Sequence, residues 1–144
     1  MDLDARFKGL SAFRYALRRF LAASEALCRS AGVTAQQYQA LLAIKAAGGG
    51  RMTMGDLAEQ LLLTHHAAVQ MVDRLSRAGL AARAPSESDR REVLLSLTPK
   101  GDALVGELAT AHLAEILRQE PLLRRSLSVL KRIPQARGGA SRTE

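Results

Sequence analysis

The sequence predicts a mainly α-helical protein with one small β-hairpin. Of its 144 residues, 47% are hydrophobic, only 3% are aromatic and none is Trp. Apolar residues recur at the three- and four-residue spacing of amphipathic helices over most of the chain. This composition suffices for a hydrophobic core and is typical of helical proteins rather than of β-sandwiches or barrels. We therefore expect one domain over residues 1–133.

The chain is basic, with 21 Lys and Arg against 14 Asp and Glu. This charge favours a polyanionic partner, either nucleic acid or an anionic membrane surface. No apolar run approaches the roughly 20 residues of a membrane-spanning helix, and the N-terminus lacks the pattern of a signal peptide. We therefore expect a cytoplasmic protein without a membrane partner. The single cysteine, Cys28, cannot form an internal disulfide, which is compatible with a reducing compartment.

Two helices are predicted before residue 50. The first covers about residues 4–30, where Leu10, Phe13 and Leu17 fall on one side. The second covers about residues 35–47 and begins with a capping box formed by Thr34 and Gln37. The run Gly48–Gly50 ends it.

A helix-turn-helix and a hairpin follow. Thr53 can cap a short helix, and Thr64 can cap a second one that stops at Gly79. The second helix has an inward apolar stripe of Ala68, Val69, Val72 and Leu75. The segments "LAARA" and "EVLLSL" are predicted strands, with "PSESDRR" as the polar tip between them.

The C-terminal part is predicted to be helical. Thr98 and Pro99 are a strong helix start, and we expect this helix to end near residue 119 and Pro121 to begin another one. The tail, residues 134–144, is expected to be disordered. The apolar helices at the two chain ends, about residues 4–30 and 98–133, would together build a dimerisation unit, because a monomer would expose their apolar faces.

The order of helix, tight turn, helix and hairpin over residues 53–97 is that of a winged helix-turn-helix, with the whole DNA-reading part at about 35–97. In that arrangement the second helix enters the major groove of DNA and the wing reaches the backbone or the minor groove. Gln can bond adenine in the major groove through both side-chain atoms. The expected contacts of this helix are Thr64, His65, His66, Gln70, Arg74 and Arg77.

The segment "VDRLSRAGLAARAPSESDRREVLLSLTPKG" resembles the MarR family of transcriptional regulators, and the resemblance runs from about Phe13 to Leu130. Its most specific elements are the wing motif Asp89, Arg90, Arg91 and the helix start Leu97, Thr98, Gly101. The resemblance implies a homodimer that binds a palindromic operator, usually as a repressor. It also implies release by a small phenolic or other ligand, or by oxidation.

The resemblance also implies residue roles. Arg90 would insert into the minor groove, Asp89 would brace the wing and Arg91 would face DNA. The ligand cleft of the family lies between the dimerisation helices and the DNA-reading part. Candidates for its lining are Phe13, Tyr15, Leu17 and Tyr38.

Other interpretations have less support. His65 and His66 point about 100° apart on a helix and cannot chelate one ion together, while His112 and Glu115 are a single pair that we interpret as surface residues. No HExxH, phosphate-binding loop or catalytic triad is evident, so we expect no enzyme, metal or cofactor.

Two alternatives stay open. One is a redox-sensing repressor acting through Cys28, although that residue lies near the end of the first helix, whereas oxidation-sensing relatives place theirs near its beginning, so we favour a packed thiol. The other is a winged-helix module that binds proteins without DNA.

Overall fold

The computed structural model describes residues 3–89 and 91–135. Its elements are α1 (Leu3–Ser30), α2 (Ala35–Ala46), β1 (Arg51–Thr53), α3 (Met54–Gln60), α4 (His65–Arg77), β2 (Ala81–Pro85), β3 (Val93–Leu97) and α5 (Pro99–Arg132), with a 3-10 turn at Gly48–Gly50. The predicted fold class, mainly α with a small hairpin wing, is confirmed. Of the predicted tail, Pro134 and Gln135 follow α5, and residues 136–144 lie outside the described residues.

The sheet has one strand more than the sequence predicts. Its order is β1-β3-β2, and all pairs are antiparallel. In β1, Met52 pairs with Leu95 of β3. The strand β3 is therefore central, with β2 on one side and the segment before α3 on the other. Three residues are too few to show the alternation that identifies a strand from sequence.

The predicted helix break at Pro121 is wrong, because α5 runs through Pro121 as one helix. Proline has no N–H, so the carbonyl of Leu117 loses its bond within the helix. Leu117 is 65% exposed, so water can reach this side of the helix and satisfy that oxygen. The cost of the proline is thereby reduced, and the helix continues to Arg132.

The chain divides into two compact units. The central unit is Ala23–Ala114, and the terminal unit consists of the described residues of Met1–Ala22 and Glu115–Glu144. The boundary falls inside α1 and α5, so the last turns of α1 and the first turns of α5 belong to the central unit. The sequence had grouped these turns with the dimerisation helices.

The central unit is built around a core of fully buried aliphatic side chains, the largest being Leu41, Ile44, Leu57, Val72, Leu75, Leu95 and Val105. Helix starts around this core are fixed by side chains. The predicted capping box of α2 is present, with Gln37 N donating to Thr34 Oγ1 at 3.1 Å and Thr34 N donating to Gln37 Oε1 at 2.9 Å.

In the terminal unit, the beginning of α1 lies close to the end of α5. A Cβ atom on Gly9 would meet side-chain atoms of Leu130 and Ile133 at 3.1 Å, and Arg6 donates to the carbonyl of Pro134 at 3.1 Å. Among the described residues, no helix is long and apolar enough to cross a membrane.

The turn between α3 and α4 holds a strained residue. Leu62 has φ +55°, in the left-handed region that disfavours residues with a Cβ, and its side chain is 93% exposed. We expect Leu62→Gly to raise the free energy of unfolding by about 0.5–1 kcal/mol, since relief of roughly 1–2 kcal/mol of strain is partly offset by glycine entropy. Urea unfolding at one fixed protein concentration measures this change.

Gly79→Ala is the control for Leu62→Gly. Gly79 has φ +73° and open space around the position of a Cβ, so only backbone strain is added there. We expect a loss of about 1 kcal/mol. A loss of stability in Leu62→Gly would show that the exposed leucine stabilises the turn and contradict the strain argument.

Candidate nucleic-acid interface

Helix α4 presents one face to the core and the opposite face to solvent. Thr64 caps it, because its Oγ1 accepts a hydrogen bond from Ala67 N at 3.1 Å. The buried side chains are Ala68, Met71, Val72 and Leu75, and Val69 is half-buried. The predicted inward stripe therefore lies in or at the core, with Met71 in addition.

The residues predicted to contact DNA from this helix all lie on its exposed surface: Thr64, His65, His66, Gln70, Arg74 and Arg77. Because an α-helix turns about 100° per residue, His66, Gln70 and Arg77 fall within roughly 40° of one another. We call these three residues the α4 stripe. Their direction is about opposite to that of Ala68, Val72 and Leu75, so burial of one face fixes the exposure of the other.

The wing is connected to α4 by an ion pair. Arg83 of β2 binds the carboxylate of Asp73 on α4. At the hairpin end, Ser86 N donates to the carbonyl of Glu92 at 3.0 Å. This bond extends the pairing of β2 with β3 beyond the strand ends.

The tip of the wing is stabilised by its own polar groups. Asp89 Oδ1 accepts a hydrogen bond from Arg91 N at 3.0 Å, and the carbonyl of Asp89 accepts one from Glu92 N at 3.0 Å. The arrangement is that of a side chain closing a turn on its own backbone. The side chain of Arg91 is exposed, and Arg90, between these residues, lies outside the described residues.

The candidate ligand-cleft residues are divided between the two units. Phe13 is half-buried, while Tyr15 and Leu17 are 49% and 38% exposed, and all three belong to the terminal unit. Tyr38 is buried in the central unit, where its ring stacks on that of His112 with centroids 4.2 Å apart and planes 9° apart. One face of Tyr38 is thus covered by a residue of α5.

The interpretation of His112 and Glu115 as surface residues is wrong, because both are buried. His112 Nδ1 lies 2.7 Å from the carbonyl of Leu108, and Nε2 lies 2.8 Å from Ser24 Oγ. Glu115 binds Arg118 and Gln119 of the same helix. A sequence signal existed, since His112 falls on the same helical face as the apolar Val105 and Leu108.

Cys28 belongs to the same buried cluster. Its side chain is fully buried, and its Sγ lies 4.0 Å from His112 Nε2. Burial raises the pKa of the Cys28 thiol, and a hydrogen bond with Ser24 opposes the shift only in part. Burial, followed by the charge of Cys28, also raises the pKa of Tyr38. The raised pKa of Cys28 disfavours the thiolate that reacts with oxidants.

Metal ligands do not come together in the part of the chain that the structure describes. No group of three or more His, Cys, Asp or Glu side chains in residues 3–89 and 91–135 could hold an ion. The exposed surface of α4 and the wing beside it offers hydrogen-bond donors and positive charge.

A family model and a curated relative that resemble this chain carry the same family name. A family model described as "MarR family" matches residues 31–92. Over 72 residues the chain is 38% identical to the multiple antibiotic resistance protein MarR of Salmonella typhimurium, covering 50% of this chain and 49% of that protein. The chain thus spans about half the length of this curated relative.

Among the solved structures that resemble this chain, AbsC and BpsR are similar to it over most of its length. AbsC, a MarR family transcriptional regulator from Streptomyces coelicolor, has a TM-score of 0.72 and 27% identity, over 81% of this chain and 80% of AbsC. BpsR of Bordetella bronchiseptica, whose DNA binding is regulated by 6-hydroxynicotinic acid, has a TM-score of 0.65 and 26% identity, over 83% of this chain and 86% of BpsR.

Proposed function

Because the chain belongs to the MarR family of winged helix-turn-helix transcriptional regulators, we propose that it is a sequence-specific DNA-binding regulator. The observation that carries the proposal is the exposed polar face of α4, which has the α4 stripe of His66, Gln70 and Arg77 on it and an N-terminus capped by Thr64. Such a helix fits the major groove, where Gln and Arg bond base edges. Since its operator would lie in the cytoplasm, we infer a cytoplasmic location.

The wing would contact the same duplex beside the groove. We propose that Arg90 enters the minor groove, where a narrow groove attracts an arginine side chain, and that Arg91 binds the backbone. The hydrogen bond from Arg91 N to Asp89 supports a bracing role for Asp89. The ion pair between Arg83 and Asp73 would hold the wing against α4.

We also propose a homodimer formed through the terminal unit. Its helices carry apolar side chains that one chain leaves exposed: Leu3, Phe7, Leu10, Leu17 and Leu21 on α1, and Ile116, Leu127 and Val129 on α5. A second copy would remove these faces from water, and two-fold symmetry would match a palindromic operator. Isolated exposed apolar residues are normal on a protein surface, but these residues recur along both helices and so indicate an interface.

Control by a small molecule is the proposed regulation. BpsR, to which the chain is similar, responds to 6-hydroxynicotinic acid. We propose that this chain acts as a repressor and that such an aromatic acid or a phenolic compound releases it from its operator. The compound would favour a dimer in which the two α4 helices are spaced wrongly for successive major grooves. The redox alternative through Cys28 has less support, since the thiol is fully buried and its pKa is raised.

Selection of bound duplexes from a randomised DNA pool at near-physiological salt tests the function. We expect one palindromic motif whose half-sites lie about 34 Å apart, one helical turn of DNA. Binding that neutralises phosphates should weaken steeply with salt. Recovery of no motif, with little salt dependence of any binding, would favour the protein-interaction module instead.

Arg90→Ala tests the wing. We expect the affinity for the selected operator to fall by about 1–3 kcal/mol while the dimer stays folded, because a groove contact is lost without any core change. Arg14→Ala, an exposed arginine of α1, is the control and should leave the affinity nearly unchanged. Equal affinities of Arg90→Ala and the wild type would exclude Arg90 from recognition.

A further inference from the structure

Two surface cavities border α4. One of about 320 Å³ is lined by His65 and Val69 of α4 together with Arg83 and Arg91 of the wing. The other, of about 410 Å³, is lined by Met71 and Arg74 of α4 and by residues from the end of α1 and the beginning of α2. Both cavities lie within the central unit.

The cavities lie on opposite sides of the α4 stripe. At about 100° per residue, His65 and Val69 point roughly 190° away from the mean direction of Met71 and Arg74. The α4 stripe of His66, Gln70 and Arg77 points between these two directions and away from the core. A duplex that receives the stripe in its major groove therefore meets both cavities.

The dimensions of DNA indicate which part of a bound duplex would lie at the two cavities. A helix with its side chains is about 10–12 Å across and the major groove about 12 Å wide, so a phosphate backbone passes on each side of a bound helix. On one side, the wing brings Arg91 to the first cavity. On the other side, the second cavity holds Arg74 and also Arg29, from the last turn of α1.

The two arginines of the second cavity have no partner within the part of the chain that the structure describes. Among the described residues, neither Arg29 nor Arg74 forms an ion pair or side-chain hydrogen bond, and both are exposed. Arg83, by contrast, is neutralised by Asp73. Guanidinium groups that converge from two helices on one cavity suit phosphate oxygens, which arginine bonds through two donors at once.

We propose that Arg29 and Arg74 bind phosphates of the DNA backbone that borders the major groove opposite the wing. The DNA-binding surface would thus extend from the helix-turn-helix and wing to the last turn of α1. This inference rests on the proposed function. Glu25, which also lines the cavity, is exposed and should repel the same phosphates, so it limits the affinity that the arginines provide.

The experiment measures DNA affinity of the full chain over a salt series, on the selected operator and on an unrelated duplex. For Arg29→Gln we expect about three- to tenfold weaker binding to both duplexes, and a slope of log affinity against log salt that is smaller by about 0.9 for each protomer. The two duplexes should be affected equally, because phosphates carry no sequence information. Glu25→Gln should strengthen binding to both.

Arg18→Gln is the matched control, since it removes the same charge from an exposed residue of the same helix in the other compact unit. Thermal melts establish that each variant is folded, because Arg29 in the last turn of α1 also interacts with the helix dipole. An Arg29→Gln variant that binds like Arg18→Gln or the wild type would overturn the inference and leave the proposed function standing. A wild type without salt-dependent DNA binding would overturn both.

Discussion

We expect Gly101→Ala to lower the free energy of unfolding by about 3 kcal/mol, as overpacking against backbone does at the upper end of its usual range. Gly101 lies in the first turn of α5, and a Cβ there would overlap the carbonyl oxygen of Leu80 and lie 2.9 Å from its carbonyl carbon. Backbone atoms cannot swing aside as a side chain can. The Leu80 carbonyl also accepts a hydrogen bond from Thr98 N at 3.1 Å, so moving it breaks the start of α5.

Gly106→Ala is the control on the same helix. Among the described residues, no atom outside the adjacent residues and the nearby helix backbone lies within 4 Å of the position of its Cβ, so this substitution only improves helix propensity and should raise stability by about 0.8–1 kcal/mol. Urea unfolding, followed by circular dichroism at one protein concentration, compares the two variants. If Gly101→Ala were as stable as Gly106→Ala, α5 would not approach Leu80 as closely as the structure shows.

Gly101 illustrates what a motif alone leaves unexplained. The sequence identified Leu97, Thr98 and Gly101 only as part of a family resemblance. In the structure, Thr98 Oγ1 accepts a hydrogen bond from Gly101 N at 3.1 Å and donates one to the carbonyl of Gly79 at 2.6 Å. The motif therefore joins the start of α5 to the turn after α4, and glycine is required because the backbones are so close there.

Elements with local signals could be predicted from the sequence. The starts of α2, α3 and α4 follow from threonines that bond a backbone N–H three residues later, and the face of α4 follows from apolar spacing. Elements that depend on distant residues could not. The strand β1 is defined by pairing with β3, more than 40 residues later, and α5 passes Pro121 where the preceding turn of the helix, at Leu117, is exposed.

The residues of the candidate interface also differ in whether the sequence alone could predict them. The α4 stripe could be predicted because its residues share one helix, whereas Arg29 could not, since its proximity to Arg74 depends on the packing of α1 beside α4. His112 was misassigned for a related reason. Its polar side chain suggested solvent, but its partners come from α1 and α2, about 75–90 residues earlier in the chain.

We expect His112→Ala to lower the free energy of unfolding by about 3–4 kcal/mol, because it removes a buried ring from the core of the central unit. A carbonyl, that of Leu108, faces Nδ1, so Nδ1 carries the proton and donates. Nε2 then accepts from Ser24. The ring also stacks on Tyr38, so one side chain connects α5 with both α1 and α2.

His112→Phe separates the two contributions, since it keeps an aromatic ring against Tyr38 but removes both hydrogen bonds. We expect it to cost about 1–2 kcal/mol, the usual penalty when a buried hydroxyl such as that of Ser24 loses one of its hydrogen-bond partners. His66→Ala, an exposed histidine of α4, is the control and should change stability by less than about 0.5 kcal/mol. A Phe variant as stable as the wild type would mean that packing alone stabilises this cluster. Equal losses for Phe and Ala would instead assign the stabilisation to the hydrogen bonds, and so to the connection between α5 and α1.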